Sequence, residues 1–538
     1  MKYLALSTAL FLVACNGSPD TVSVDQETGD SALAALHLAN SGDGAVLYGA
    51  RSFDDGVYTF TDVVFTDMSD SDGDAGAEAD SADADGEMSG NVEFDEIRAA
   101  RMVLAAPRFD ETGNVIFDRL SIEEAVFAEP EGDEDSQGGF DSFVIETPNA
   151  VMVADIARGF SGEDVDDDET DPAAYRFGLV SLEGLAIDGT DDESGEDFAV
   201  SLTRFALDNY DGEHLDRFEL MGLNINAVDA ETGPVRITLA ELSMDGIGQS
   251  FFAPFTQGMR EAMAEQAGEI AEAREISADY DPMDAYDAFA MRGLDANVGG
   301  ILVTMDSMTA SIDETRDGLV GVSEMTPLVV RPDTEYQLGA QMALGLGLLG
   351  YQQLEFTAAS ESVYDVDADR SYTRGENYFE LTEGFRIETE MDVSGILEYS
   401  RRAMSLSMAQ SEDFDVAEML EPLMLNRLVL RIEDHSILDR ALTAGSAAQG
   451  MSKAELRQQA AAMITLGMLG APAEIPRPLL TQLSEALVGF INDGGAVTIA
   501  LEPAEPLSVG ALMEEAEANA LDFDSMGLSI TNEPADAE

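Results

Sequence analysis

Tryptophan is absent from this chain, histidine occurs three times, and cysteine occurs once, at position 15. Each scarcity excludes something. Without indole rings the usual platforms for stacking sugars are missing, which weakens any glycosidase reading. His37, His214 and His435 lie in unrelated contexts, and no His-Glu-x-x-His or comparable pair brings two of them to one metal. A single thiol permits no internal disulfide, so the fold must be held by its own core. Lysine is nearly absent too: Lys2 and Lys453 are the only two, and arginine supplies the remaining positive charge. Beyond the N-terminal leader, no run reaches the roughly 18 uninterrupted apolar residues of a membrane-spanning helix.

Acid is what the chain has in excess. Asp and Glu total 107 against 27 Lys and Arg, for a net charge of −80. Such a surface repels nucleic acid and anionic lipid headgroups, so no nucleic-acid partner is expected. It also repels itself unless cations screen it, over about 8 Å at physiological salt. Two readings stay open: a hydrated surface suited to a saline exterior, or a dependence on divalent cations. The hydrophobic fraction of 45% is that of a globular protein, and the length suits two or three domains.

Lys2 and the twelve apolar-rich residues Tyr3–Ala14 form a leader. A helix of that length spans about 18 Å, short of the roughly 30 Å hydrocarbon layer, so it reads as a signal-peptide core. Leu12-Val13-Ala14-Cys15 resembles the bacterial lipobox. That resemblance implies cleavage between Ala14 and Cys15, a diacylglycerol thioether on Cys15, acylation of the new amino terminus and a membrane anchor of more than one chain. Asn16 stands where an Asp would signal inner-membrane retention, which favours the outer membrane, facing the periplasm. An ordinary secretory leader with an incidental cysteine is the alternative.

Downstream, apolar and polar residues alternate in short runs, the period of half-buried strands. The runs are 57–65, 115–127, 175–187, 198–207, 217–226 and 235–244. Several share a template: alternating apolar residues, then a small residue, then another leucine or branched position. Acidic low-complexity segments at 69–87, 129–139, 161–171 and 188–197 separate them, with too few apolar residues to offset their ordering entropy. The nearest approach to a calcium loop is Asp365-Val-Asp367-Ala-Asp369, with Glu376 twelfth, but Arg370 takes the position where the sharp turn wants glycine. A solvated hairpin turn is the preferred reading of those four acids. No other metal site and no cofactor is expected.

Helical period appears elsewhere. Asp30–Asn40 reads as a short capped helix, and Pro254–Ile276 as an amphipathic one with an acidic polar face. Gln337–Gly350 carries no charge and is the most apolar part of the mature chain; it reads as a buried helix able to line a greasy cavity. Its Gly345-Leu-Gly-Leu-Leu-Gly350 matches the dinucleotide fingerprint in spelling only, with no surrounding βαβ pattern. Ser452-Lys-Ala-Glu455 is a capping box, and Arg477-Pro478 opens a helix with Leu480, Leu483, Leu487 and Ile491 on one side. Asp434-His435-Ser436 sets three triad residue types side by side, but a triad needs them converging from separate elements. No catalytic residue is assigned, and the chain reads as non-enzymatic.

Residues 350–395, with the later stretches 434–457 and 492–513, resemble uncharacterised secreted proteins and lipoproteins of alphaproteobacteria. The strand repeats are loosely similar to AsmA-like envelope proteins, and that resemblance implies long sheets around an apolar groove associated with lipid traffic. The expected fold is α+β: an elongated, mainly antiparallel sheet of repeated short strands with packed helices, more helical towards the C-terminus. The expected organisation is a signal peptide at 1–14, a tether at 15–29, a β-repeat region at 30–252, a helical connector at 253–293, a second β-rich region with the apolar helix at 294–394, an α+β region at 395–532 and an acidic tail at 533–538. The expected function is a non-enzymatic envelope lipoprotein holding lipid or another apolar ligand in a sheet groove. A scaffolding lipoprotein with a filled interior and, less favoured, a hydrolase with an unrecognised site are the alternatives.

Overall fold

The computed structural model describes residues 24–66, 96–128, 136–162, 174–190, 197–229, 233–248, 285–316, 318–408, 416–469, 476–518, 521–523 and 525–535. Among the described residues strand outweighs helix, 52% against 26%, an α+β architecture with the sheet dominant. Contacts divide it into residues 1–248 and 249–538. Ala14, Cys15, the helix read at 254–276 and most of the acidic segments lie outside the described residues.

The first unit opens with α1 (Gln26–Ala35), started by Asp25, whose carboxylate accepts the Thr28 amide at 3.0 Å. The helix therefore begins ahead of Asp30, and residues 26–29 belong to it and not to a tether. Asp30 accepts the Tyr58 hydroxyl instead, at 3.1 Å. β1 (Val46–Leu47) and β2 (Ala50–Asp54) both pair with β3 (Val57–Phe65), which pairs with β4 (Glu96–Ala105). A small separate hairpin of β5 (Arg108–Phe109) and β6 (Val115–Ile116) follows. The antiparallel meander resumes with β7 (Arg119–Ala128) and β8 (Ser136–Glu146), then α2 (Ala150–Ser161), β9 (Phe177–Thr190), β10 (Asp197–Tyr210), β11 (Leu215–Asp229) and β12 (Gly233–Ile247). The run 115–127 is two strands because Asp118 is buried between them, 2.7 Å from Arg108. Helix α2 has no counterpart in the sequence reading; Asn149 caps it and Gly162, at φ 77°, ends it.

One face of this sheet is apolar along whole cross-strand rows. Phe60, Met102, Ile122, Phe143, Leu182, Phe205, Leu220 and Leu242 are successive partners from β3 to β12. Tyr58, Leu104, Leu120, Ile145, Val180, Leu207, Phe218 and Met244 form the next row. On the other side of the first row the alternation slips by one residue. The apolar step becomes three, as in Phe60/Val63, Leu182/Leu185, Leu202/Phe205, Leu220/Leu223 and Leu239/Leu242. A plain strand would then turn its apolar residues to the opposite face. Left-handed residues in every second strand reverse that slip: Asp62 and Glu124 at φ 53°, Gly184 at φ 70° and Gly222 at φ 64°. They occupy one register line, so a seam crosses the sheet and apolar residues share a face on both sides of it. The small residue of the sequence template is this seam position.

The second unit begins at β13 (Ala288–Val298), so residues 288–293 of the expected connector are strand. β14 (Ile301–Thr315) and β15 (Gly318–Pro332) continue the meander; α3 (Gln337–Leu348) intervenes before β16 (Leu354–Asp365). The short β17 (Arg370–Thr373) and β18 (Tyr378–Leu381) lie between β16 and β19 (Phe385–Ser394). After α4 (Ile396–Met408) and α5 (Val416–Leu420), β20 (Met424–Asp434) pairs with β19. Three helices follow, α6 (Ile437–Gln449), α7 (Lys453–Leu469) and α8 (Arg477–Asp493), then β21 (Ala496–Leu501), β22 (Leu507–Ser508), α9 (Val509–Glu517) and β23 (Leu528–Glu533). Ser452 and Glu455 form the capping box: the Glu455 carboxylate accepts the Ser452 amide at 2.8 Å and Ser452 Oγ accepts the Glu455 amide at 3.3 Å. Helix α8 packs Leu479, Leu483, Ala486 and Phe490 over Val497 and Ile530, a face turned slightly from the one read in the sequence. Glu533 closes β23, so the strand runs into the first residue of the expected acidic tail.

Candidate functional site

The apolar face is the surface on which a ligand could lie, and its cover is uneven. In the first unit Phe60, Met102, Phe143 and Leu182 are buried, as are Leu33 from α1, Leu36 just after it and Phe117 from the loop beside β6. Tyr58 anchors α1 by donating to Asp30, and Gly29 lies against its ring because a Cβ there would sit 2.6 Å from the hydroxyl. Burial raises the Tyr58 pKa to about 12, with the Asp30 hydrogen bond adding to it. Towards β12 the cover thins at Phe205, Leu207, Phe218, Leu220 and Leu242, which are half-buried, while Met244 in the second row stays buried.

The second unit repeats the arrangement. Met291, Met308, Met325, Ala358, Phe379, Ile387, Ile432 and Val497 are successive cross-strand partners from β13 to β21. Helix α3 covers one end, placing Leu346 and Met342 with Leu354, Phe356, Leu381 and Phe385. Helix α8 covers β21 and β23. Elsewhere Met308, Phe379 and Met391 stay 37–44% exposed.

The opposite face of β19 and β20 is charged. Arg386 donates to Glu388 at 2.9 Å and lies 3.8 Å from the centre of the Tyr378 ring. Arg431 pairs with Glu433 and, at 3.2 Å, with Glu533; Arg427 pairs with Glu390 and, at 2.8 Å, with Glu502. A hydrogen bond from Arg370 holds the Asp392 carboxyl below the usual carboxylate range, and Arg431 does the same for Glu433. His435 ends this ladder, with Nδ1 3.4 Å from Glu380 and Nε2 3.6 Å from Glu433. Its neighbours serve the backbone: Asp434 accepts the amides of Ser436 and Leu438, and Ser436 Oγ donates to the Glu383 carbonyl at 2.5 Å. The three triad residue types thus have separate structural tasks.

The four weak metal candidates are also placed. Asp365 and Arg370 pair across a tight hairpin turn, and Asp365 accepts the Ala368 amide at 3.1 Å. Asp367 lies in the turn. Asp369 accepts the Tyr364 hydroxyl and the Leu397 amide, both at 3.0 Å. Glu376 is 79% exposed and 3.9 Å from Arg386. Among the described residues, no group of three or more His, Cys, Asp or Glu is arranged to hold a metal ion.

A shallow cavity of about 550 Å³ opens on the seam of the first unit, lined by apolar residues (Leu185, Leu202, Met221) as well as by Asp141, Glu183 and Arg204. Asp141 and Thr203 reach over the seam glycines: a Cβ on Gly184 would meet Asp141 Oδ2 at 2.2 Å, and one on Gly222 would meet Thr203 Oγ1 at 2.2 Å. Arg204 is spoken for by Glu219 at 3.3 Å. Burial pushes the nearby Asp208 carboxyl up, and Arg204 opposes that rise.

The expectation of a buried helix at Gln337–Gly350 needs correction. The helix forms, but Leu344 is 71% and Leu348 66% exposed, because only one side of a helix apolar all round can meet the sheet. Among the described residues no helix is long and apolar enough to cross a membrane, which leaves strands unaddressed. Residues 378–533 are similar to a protein family described only as an uncharacterized protein. No curated protein matches the chain.

Proposed function

We propose that this protein is a non-enzymatic, lipid-anchored envelope protein that holds an acyl chain or similar apolar ligand against its sheet. The observation that carries the reading is the change of cover along one continuous apolar face: Phe143 and Leu182 are buried while their row partners Phe205, Leu220 and Leu242 are only half-buried. Leaving contiguous apolar area against water is unfavourable by roughly 25 cal/mol per Å², so such a surface is kept where something else occupies it. The resemblance to AsmA-like proteins points to the same ligand class, and acylated Cys15 would keep the protein at the membrane that supplies it.

The scaffolding alternative has its own support in the filled interior between β3 and β9. Native mass spectrometry of the full-length protein extracted from envelopes separates the two. The lipid-holding reading expects a bound apolar molecule that Leu220→Asp releases. Uniformly bare protein favours the scaffold.

A further inference from the structure

We infer that helix α3 contacts an uncharged lipid bilayer, inserting Leu344 and Leu348 among the acyl chains while the helix lies in the plane of the surface. The two leucines are one helical turn apart and share a side, 71% and 66% exposed. The other side is already occupied, since Met342, Leu346 and Leu349 pack with the sheet residues Leu354 and Phe356. Gly345 and Gly347 flank the exposed pair, and a Cβ on either would meet nothing within 4 Å. Packing within the unit therefore does not require those glycines. Their missing side chains leave Leu344 and Leu348 standing clear of the helix, accessible to a fluid apolar phase.

Charge and area select the occupant. A quarter of the chain is charged and the net charge is −80, yet Gln337–Gly350 carries no charge at all. An anionic headgroup layer would be repelled by the surrounding protein, so a zwitterionic surface is the compatible one. A second copy of the chain is disfavoured, because two protruding leucines fall far short of the roughly 800 Å² per partner that a stable dimer covers. Twelve residues of helix reach about 18 Å, too short to span. Surface helices commonly carry basic residues that draw them to anionic lipid; α3 has none, so its contact should be indifferent to salt. This inference stands whether or not the sheet holds a ligand.

The absence of tryptophan provides the test. In the full-length protein, Leu344→Trp is the sole indole emitter. With phosphatidylcholine vesicles its emission should shift to the blue and be quenched by brominated acyl chains, equally at low and high NaCl and no more strongly with added phosphatidylglycerol. Val366→Trp, on the exposed hairpin turn of the same unit, should show neither effect even if an N-terminal anchor binds the vesicle. Introducing Leu348→Gln beside Leu344→Trp should reduce the quenching several-fold without altering the thermal midpoint. An unshifted, unquenched Leu344→Trp overturns the inference, as does equal quenching at position 366. A vesicle-independent blue shift that grows with protein concentration also overturns it, in favour of self-association.

Discussion

The two units build similar antiparallel meanders and stabilise them differently. Among the described residues, the largest fully buried side chains, from Leu33 and Tyr58 to Phe143 and Leu182, all belong to the first unit. The second unit has small buried clusters, Leu346 with Tyr351 and Leu381, and Ala486 with Val497 and Ile530. Both units also carry arginine–carboxylate pairs, such as Arg101–Glu123 and Arg119–Glu146 in the first and Arg427–Glu502 and Arg431–Glu533 in the second. Exposed pairs of that kind contribute about 0–1 kcal/mol each, whereas one fully buried large apolar side chain contributes about 1.5–3 kcal/mol. The first unit therefore holds the larger stability reserve, and the second leaves Met308, Phe379 and Met391 of its apolar face 37–44% exposed. Surfaces that bind are commonly drawn from the less stable parts of a fold.

The contrast can be broken most directly at two phenylalanines. Phe143→Ala, in the buried part of its row, should cost about 3–5 kcal/mol in denaturant titrations. Phe379→Ala, 41% exposed in the corresponding row of the second unit, should cost about 1 kcal/mol or less. Equal losses would mean that the second face is as closed as the first. Glycine substitutions should differ in sign. Gly222→Ala places a Cβ on a left-handed strand residue and against Thr203, for a loss of at least about 1–2 kcal/mol that Thr203→Ala partly restores. Gly347→Ala, in a helix with open space around it, should stabilise by about 0.5–1 kcal/mol. If Gly222→Ala folds as stably as wild type, the seam is not held by its backbone conformation.

The smallest effect concerns pH. Arg370 depresses the Asp392 pKa in the folded second unit, so the pair contributes stability that is present above the unfolded carboxylate value, about 3.9. That contribution is lost as pH falls through the depressed folded value, because the unfolded chain then binds the proton more readily. Melting temperature should be insensitive to this pair near neutrality and fall in the acid range, with Asp392→Asn showing a shallower acid loss. An identical acid profile for the variant would remove the ion ladder from the account of the second unit.

Much of this was legible in the residues. Alternation placed β3, β9, β10, β11 and β12 because a face that meets a core must repeat every second residue. The capping box at Ser452 and Pro478 opened helices α7 and α8 for local reasons that need no tertiary partner. The seam was half-visible: the Leu-x-Gly-Leu steps in β9 and β11 are the small residue and following leucine of the template, although the three-residue apolar step recurring down the chain was its signature. Helix α2 was missed, though Asn149 before an apolar run and Gly162 after it were both cues.

By itself the sequence determined the charge, the scarcity of thiol and imidazole, the strand period and the caps, since each depends on residue type and local spacing. Tertiary structure alone decided which apolar rows are covered, which side of α3 faces water, and that Asp434, His435 and Ser436 serve backbone and ion pairs. Those outcomes depend on what stands opposite a side chain once distant strands pair, and pattern along one chain does not contain that information.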